Sequence, residues 1–275
     1  MGVPHRIFPE AGFWIFRDIL QDSSIISARF QANDLCGIAW GGVIFIRLYS
    51  PLFSYYHTER VRASFDLKKA ADIQKALSYR LVLRREVEEI GFVGGADFSY
   101  EKKRSLIGAV LVVMTFPGLE VVAIAHEVLP VRIPYIPGYL NFREGPAFFR
   151  VFRKIEREPD VTLVDGNGIA HPRRMGLASY VGVVLDIPTI GCAKSPFFRF
   201  APPGRDRGSY TVYTDDNQKK VGFCLRTRTN VRPVFVSPGH RMDFRTAREI
   251  TLACSRWRIP EPLRRAHQLA KALFS

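Results

Sequence analysis

Apolar and polar positions fall into two periods along this chain, and their alternation sets out the elements. Asp66 can cap a helix running to about residue 89, with Ala70, Ile73, Leu77 and Leu81 on one face. Residues 92–100 read as a strand with Asp97 inside it, and 105–116 as a long apolar strand. Pro117-Gly118 turns the chain and 119–129 returns, giving a three-strand meander. Residues 131–141, with two prolines, a glycine and two tyrosines, read as a rigid exposed loop. Glu144 opens the next helix, with Pro146 in its first turn and Phe148, Phe152 and Ile155 as the buried stripe. Val161–Val164, short and β-branched, reads as a buried strand that ends on Asp165. Leu177, Val181, Val184 and Leu185 have roughly helical spacing, and 188–193 is the next buried strand, tipped by Lys194. Stretches 210–213, 221–227 and 233–236 are strand-like. A helix starts near Asp243, and 261–273 ends the chain with Leu263, Ala266, Ala270 and Leu273 on one face.

Three antiparallel strands, helix, strand, helix, strand, then additions: this order predicts an α/β protein. The expected fold is ribonuclease H-like, a mixed five-stranded sheet flanked by helices with additional C-terminal strands and helices. Residues 1–61 have little helical periodicity and read as an N-terminal extension, with 62–275 as the folded domain. Within that extension, 38–56 is apolar, but Arg47 at its centre, Pro51 and two glycines argue against a membrane helix. It also starts too late for a secretory signal.

Composition narrows the partners. The chain has 275 residues, 47% hydrophobic and 24% charged, which suits a protein with a sizeable core. A formal charge of +14 and a pI near 9.9 favour a polyanion, nucleic acid first and an anionic membrane second. Cys36, Cys192, Cys224 and Cys254 lack CxxC spacing, which argues against a zinc site or disulfide framework and for a reducing cytoplasm.

In the expected fold Asp97, Glu144 and Asp165 meet at one end of the sheet. Three carboxylates repel one another unless a cation neutralises them, and hard oxygen ligands suit magnesium, with manganese as a substitute. Asp165-Gly166-Asn167-Gly168 starts like a calcium loop, but the twelfth position is Gly176 where an acid is required, so that reading is excluded. His171-Pro172-Arg173-Arg174 ahead of a helix start suggests an anion site. Arg264, Arg265 and Lys271 read as a solvated face.

These residues together resemble the endonuclease V family. The matching segments begin with Gly95-Ala96-Asp97-Phe98-Ser99, Pro134-Tyr135-Ile136-Pro137-Gly138 and Phe142-Arg143-Glu144-Gly145-Pro146. Asp165-Gly166-Asn167-Gly168 through Arg174, Pro188-Thr189-Ile190-Gly191 and Ala193-Lys194-Ser195 follow. Ser237-Pro238-Gly239-His240 and Arg258-Ile259-Pro260-Glu261-Pro262 complete the set. The resemblance implies that Asp97, Glu144 and Asp165 hold the metal, His240 orients or activates the attacking water, and Lys194 sits near the scissile phosphate. It implies a wedge at Tyr135 within Pro134, Ile136 and Pro137. Gly138 and the Gly168, Ile169, Ala170 turn would line a pocket for everted hypoxanthine, with His171, Arg173 and Arg174 contacting substrate.

The activity implied is hydrolysis of the second phosphodiester bond 3′ to deoxyinosine in DNA, leaving a 3′-hydroxyl and a 5′-phosphate, by a cytoplasmic monomer with no membrane partner. Other deaminated bases and inosine in RNA are further substrates to test. The rival readings are an inosine-specific endoribonuclease, a non-catalytic nucleic-acid binder and, resting on 38–56 alone, a membrane-surface protein. Two features depart from the family pattern: Tyr180 stands where the family usually has His, and residues before about Val61 have no counterpart.

Overall fold

In the computed structural model the description covers residues 65–275, preceded only by the backbone of a two-residue antiparallel ladder, Ala39–Trp40 with Val43–Ile44. Apart from that ladder, the N-terminal extension, the apolar stretch 38–56 and Cys36 lie outside the described residues. Asp66 caps the first helix, α1 (Leu67–Ser78), by accepting from the backbone N–H groups of Lys68 and Lys69 at 2.9 and 3.0 Å. The helix stops well short of residue 89. Leu81 and Leu83 leave the helical path to pack on a core around Tyr213, and the Val82 N–H donates to His240 Nδ1. Tertiary burial overrides the apolar spacing there.

The meander forms as its sequence predicts. Strands β1 (Phe92–Glu101), β2 (Leu106–Thr115) and β3 (Val121–Pro130) pair antiparallel. On the other side of β1, β4 (Val161–Val164) pairs parallel to it, and β5 (Thr189–Ala193) runs parallel to β4. These five strands are the mixed sheet of a ribonuclease H-like fold. The additional strands β6 (Tyr210–Thr214), β7 (Lys220–Leu225) and β8 (Val234–Pro238) extend the same sheet, in the order β3-β2-β1-β4-β5-β8-β7-β6.

Helices cover both faces, which is why β2 reads as an unbroken apolar run. Helix α2 (Leu140–Lys154) lies over β2 and β3, and α3 (Leu177–Leu185) packs between α2 and β5. Helix α4 (Phe244–Ala253), capped by Asp243, and α5 (Glu261–Ala272) share one core with Val110, Val112 and Met114 of β2. Helix α5 comes so close to β1 that a Cβ at Gly95 would lie 2.2 Å from the carbonyl carbon of Pro262. Only glycine fits there.

Helix α2 starts a full turn before Glu144, which places Pro146 inside it. Tyr139, at its N-cap, makes no side-chain capping bond, so the sequence carried no start signal. An internal proline removes one helical hydrogen bond and costs roughly 3 kcal/mol. Burial of Phe142, Phe148, Val151 and Phe152 along the same helix offsets that cost.

Candidate active site

The acid cluster follows from register. Ala96 on β1 pairs with Val164 on β4, and the Asp165 N–H donates to the Ala96 carbonyl at 3.0 Å. The next residues on the two strands, Asp97 and Asp165, are therefore neighbours, close enough for the charge of Asp97 to act on Asp165. Glu144 reaches the same place from the second turn of α2, where the Tyr100 hydroxyl donates to its Oε1 at 2.7 Å. Lys194, just past the end of β5, contacts Asp165 Oδ2. A fifth group comes from α5: His267 Nδ1 lies 2.6 Å from Asp97 Oδ2.

Burial and mutual repulsion govern the charges of the three acids. Burial raises Glu144 to about 8, assisted by the charges of Asp165 and Asp97 and opposed by the Tyr100 hydrogen bond. Burial and the Asp97 charge raise Asp165 to about 6, against the pull of Lys194. Burial also holds Asp97 above the ordinary carboxylate range. Among the described residues no three candidate ligands close on one point as they stand. Each carboxylate instead leans on a donor, Lys194, His267 or Tyr100. Clustered carboxylate oxygens with one imidazole beside them fit a hard divalent cation, which would take the place of those donors.

His240 does not join this cluster. Its backbone N–H donates to Thr189 Oγ1 at 3.0 Å, and Thr189 opens β5, five residues before Lys194. At the rise of a strand that is about 16 Å from the lysine. Its ring pairs with Asp186 at 3.1 Å and accepts from Val82, so it ties 81–83 to the start of β5. His267 is the histidine that meets the acids. The sequence signal for it was its place on the stripe Leu263, Ala266, Ala270, the face α5 turns to the sheet.

The aromatic loop runs directly into α2, the helix that carries Glu144. Tyr135 is 67% exposed, Pro134 and Pro137 are exposed, and Ile136 is half-buried. Gly138 has φ +81°, which favours glycine. Its carbonyl accepts from Gln74 Nε2 at 3.0 Å, His171 Nε2 at 3.0 Å and Arg173 Nη2 at 2.9 Å. The Gly138 segment and the 168–171 turn are thus joined. Gly168 and Ile169 donate their N–H groups to Ser237 Oγ and the Pro238 carbonyl, and the side chains of Ile169 and Ala170 are buried in the core.

Among the groups expected to contact substrate, Arg173 turns inward to Gly138 and Gln74 and stacks on the Tyr139 ring. Arg174, with φ +55°, lies on the surface 3.9 Å from Asp215. In the basic loop between β5 and β6, Arg199, Arg205 and Arg207 are exposed as well. Tyr180 is 6% exposed and packs between Phe142 and Phe149, over Gly145. It supports α2 next to Glu144.

A family model for endonuclease V matches residues 75–268. Endonuclease V of Methanothrix thermoacetophila is 46% identical over 215 residues, spanning 77% of this chain and 94% of that protein. The crystal structure of endonuclease V from Streptomyces avermitilis aligns with a TM-score of 0.73 at 40% identity, covering 76% of this chain and 93% of that one. Endonuclease V of Ciona intestinalis, in complex with a 23mer DNA containing an inosine followed by a ribo-adenosine, aligns at 0.67 with 27% identity, covering 75% of this chain and 96% of that one. The matched span contains all three acids, Lys194 and His267, and at these identities over nearly the whole of the relatives the chain belongs to the endonuclease V family and is an endonuclease.

Proposed function

We propose that this endonuclease acts on DNA containing deoxyinosine and hydrolyses the second phosphodiester bond 3′ to the lesion, leaving a 3′-hydroxyl and a 5′-phosphate. The observation that carries the reading is the pairing of a buried acid cluster with a braced loop that projects Tyr135 into solvent. The Ciona relative, bound to inosine-containing DNA, supports the same substrate class.

Asp97, Asp165 and Glu144 would hold magnesium, with manganese as substitute. The bound cation supplies water activation and charge stabilisation at the phosphate. The protein's own groups do the rest. Lys194, anchored by Asp165, presents a positive charge to the scissile phosphate. His267, held against Asp97, orients Asp97 and can accept a proton at Nε2. Tyr100 holds one oxygen of Glu144 through its hydroxyl and so fixes the carboxylate's position on α2. Tyr135 fills the gap left by an everted base, whose pocket lies beside Gly138. Arg174, Arg199, Arg205 and Arg207 follow the phosphates.

Residues 62–275 carry the activity in this reading, residues 1–61 are dispensable to it, and the enzyme works as a cytoplasmic monomer. Among the described residues no helix is long and apolar enough to cross a membrane. The ribo-adenosine after the inosine in the Ciona complex favours one second reading, inosine in RNA. The test compares inosine-containing DNA duplex and RNA, each with magnesium or with chelator, and maps the product ends. Cleavage of neither substrate with magnesium, or equal cleavage with chelator, refutes the proposal.

A further inference from the structure

We propose that Gln74 is a positioning residue for base recognition: its side-chain amide locks the Gly138 peptide that anchors the Tyr135 loop, and so sets how strongly the enzyme prefers inosine. This rests on the reading that the loop recognises the lesion.

Gln74 is fully buried on α1, on a stripe with Ala70 and Leu77 where an aliphatic side chain would fill the space. A buried amide is costly unless its hydrogen bonds are made. Here each is. Nε2 donates to the Gly138 carbonyl at 3.0 Å and to Asn141 Oδ1 at 2.7 Å, and Oε1 accepts from Arg173 Nε. The amide cannot be turned over. Its oxygen would then face two acceptors, and its nitrogen would face the Arg173 N–H.

The other two donors to the Gly138 carbonyl are set in turn. The Arg173 N–H donates to His171 Nδ1 at 3.2 Å, so the imidazole proton sits on Nε2, directed at Gly138. Burial and the Arg173 charge lower His171 to about 4, which keeps this neutral form across the physiological range. One carbonyl oxygen is therefore held by α1 and by the 171–173 turn at once. Rotating the Gly138–Tyr139 peptide means breaking contacts to both. Gln74 bonds to nothing in the acid cluster. Its loss acts on recognition and leaves the chemistry in place.

The experiment uses the full chain as wild type, Gln74→Leu and Gln74→Glu. Leu keeps the volume and removes the amide. Glu keeps an oxygen for Arg173 and replaces the donor to Gly138 by an acceptor. Single-turnover cleavage with magnesium is measured on duplexes that differ only in inosine or adenine at one position, together with affinity for the undamaged duplex and thermal stability. Both variants are expected to lower the inosine-to-adenine cleavage ratio about tenfold, the effect of one lost buried hydrogen bond. The loss appears as a higher half-saturating enzyme concentration, with the rate at saturation and the affinity for undamaged duplex near wild type. If Gln74→Leu does not fold, Gln74→Glu decides. A folded variant with lower melting temperature but an unchanged ratio overturns the proposal and leaves Gln74 a purely structural amide. A wild-type ratio near one overturns the recognition reading itself, and this proposal with it.

Discussion

Adding one methyl group at Gly95 tests how the site is held together. In Gly95→Ala the new Cβ would sit 2.2 Å from the Pro262 carbonyl carbon, 2.4 Å from its oxygen and 2.6 Å from the Leu263 nitrogen. All three are backbone atoms at the start of α5, so no rotamer change relieves the clash. Reaching an ordinary contact of 3.4 Å needs α5 to retreat by about 1.2 Å. Overpacking of this kind costs roughly 1–3 kcal/mol, and with a backbone neighbour the upper end applies. At about 2–4 °C per kcal/mol for a domain of this size, the melting temperature should fall by about 5–10 °C. The same retreat carries His267 away from Asp97, now 2.6 Å apart. A misplacement near 1 Å can cost about a hundredfold in rate. The assay is thermal melting together with single-turnover nicking at a temperature where the variant is fully folded. Wild-type melting and wild-type rate would refute the account of Gly95. Lower melting with an unchanged rate would show that α5 contributes packing alone.

Asp165→Ala should abolish nicking at saturating magnesium while affinity for the same DNA stays within about threefold, because binding rests on phosphate contacts; full nicking in that variant would end the cation mechanism. Tyr135→Ala should keep its stability, the residue being 67% exposed, and lose preference for inosine over intact DNA; unchanged discrimination removes the wedge. Burial raises Glu144 from 4.5 to about 8, so its protonated form is the one the fold favours; in chelator, stability is fully present below pH about 4.5 and is lost as pH rises through about 8. Melting temperature without metal should thus drop from pH 5 to pH 8, and magnesium should restore more of it at the higher pH; a flat profile contradicts the burial of Glu144. Arg174→Ala should lower the slope of log affinity against log salt by about one unit, and an identical slope removes it as a phosphate contact.

Where a single period ran without interruption, the chain was readable. The apolar run of β2 and the return of β3 made the meander plain, and Asp165 at the tip of a β-branched strand marked where the acids gather. What failed did so for local reasons. The spacing through Leu81 looked helical, yet Leu81 is used by a different core. The start of α2 has no capping side chain, so the nearest acid and proline, Glu144 and Pro146, drew the boundary one turn late. The resemblance gives His240 as the water-orienting histidine, yet its place beside Thr189 at the start of β5 and that of His267 beside Asp97 emerge only in the folded chain. Gln74 was invisible because a polar residue on an apolar stripe has no meaning until its partners, 64 and 99 residues away, are in place.

The contact between Asp97 and His267 spans 170 positions, and α5 closes over β1 from the last part of the chain. During synthesis β1, α2 and β4 are complete long before the helix that covers them. A nascent or prematurely terminated chain therefore has its acids but lacks His267 and leaves the Gly95 trough bare. In the proposed reading the site is complete only once α5 has packed on β1 and brought His267 to Asp97. A fragment clipped ahead of α5 exposes the face of β1 that Gly95 and α5 share, apolar surface of the kind that makes incomplete chains prone to aggregate.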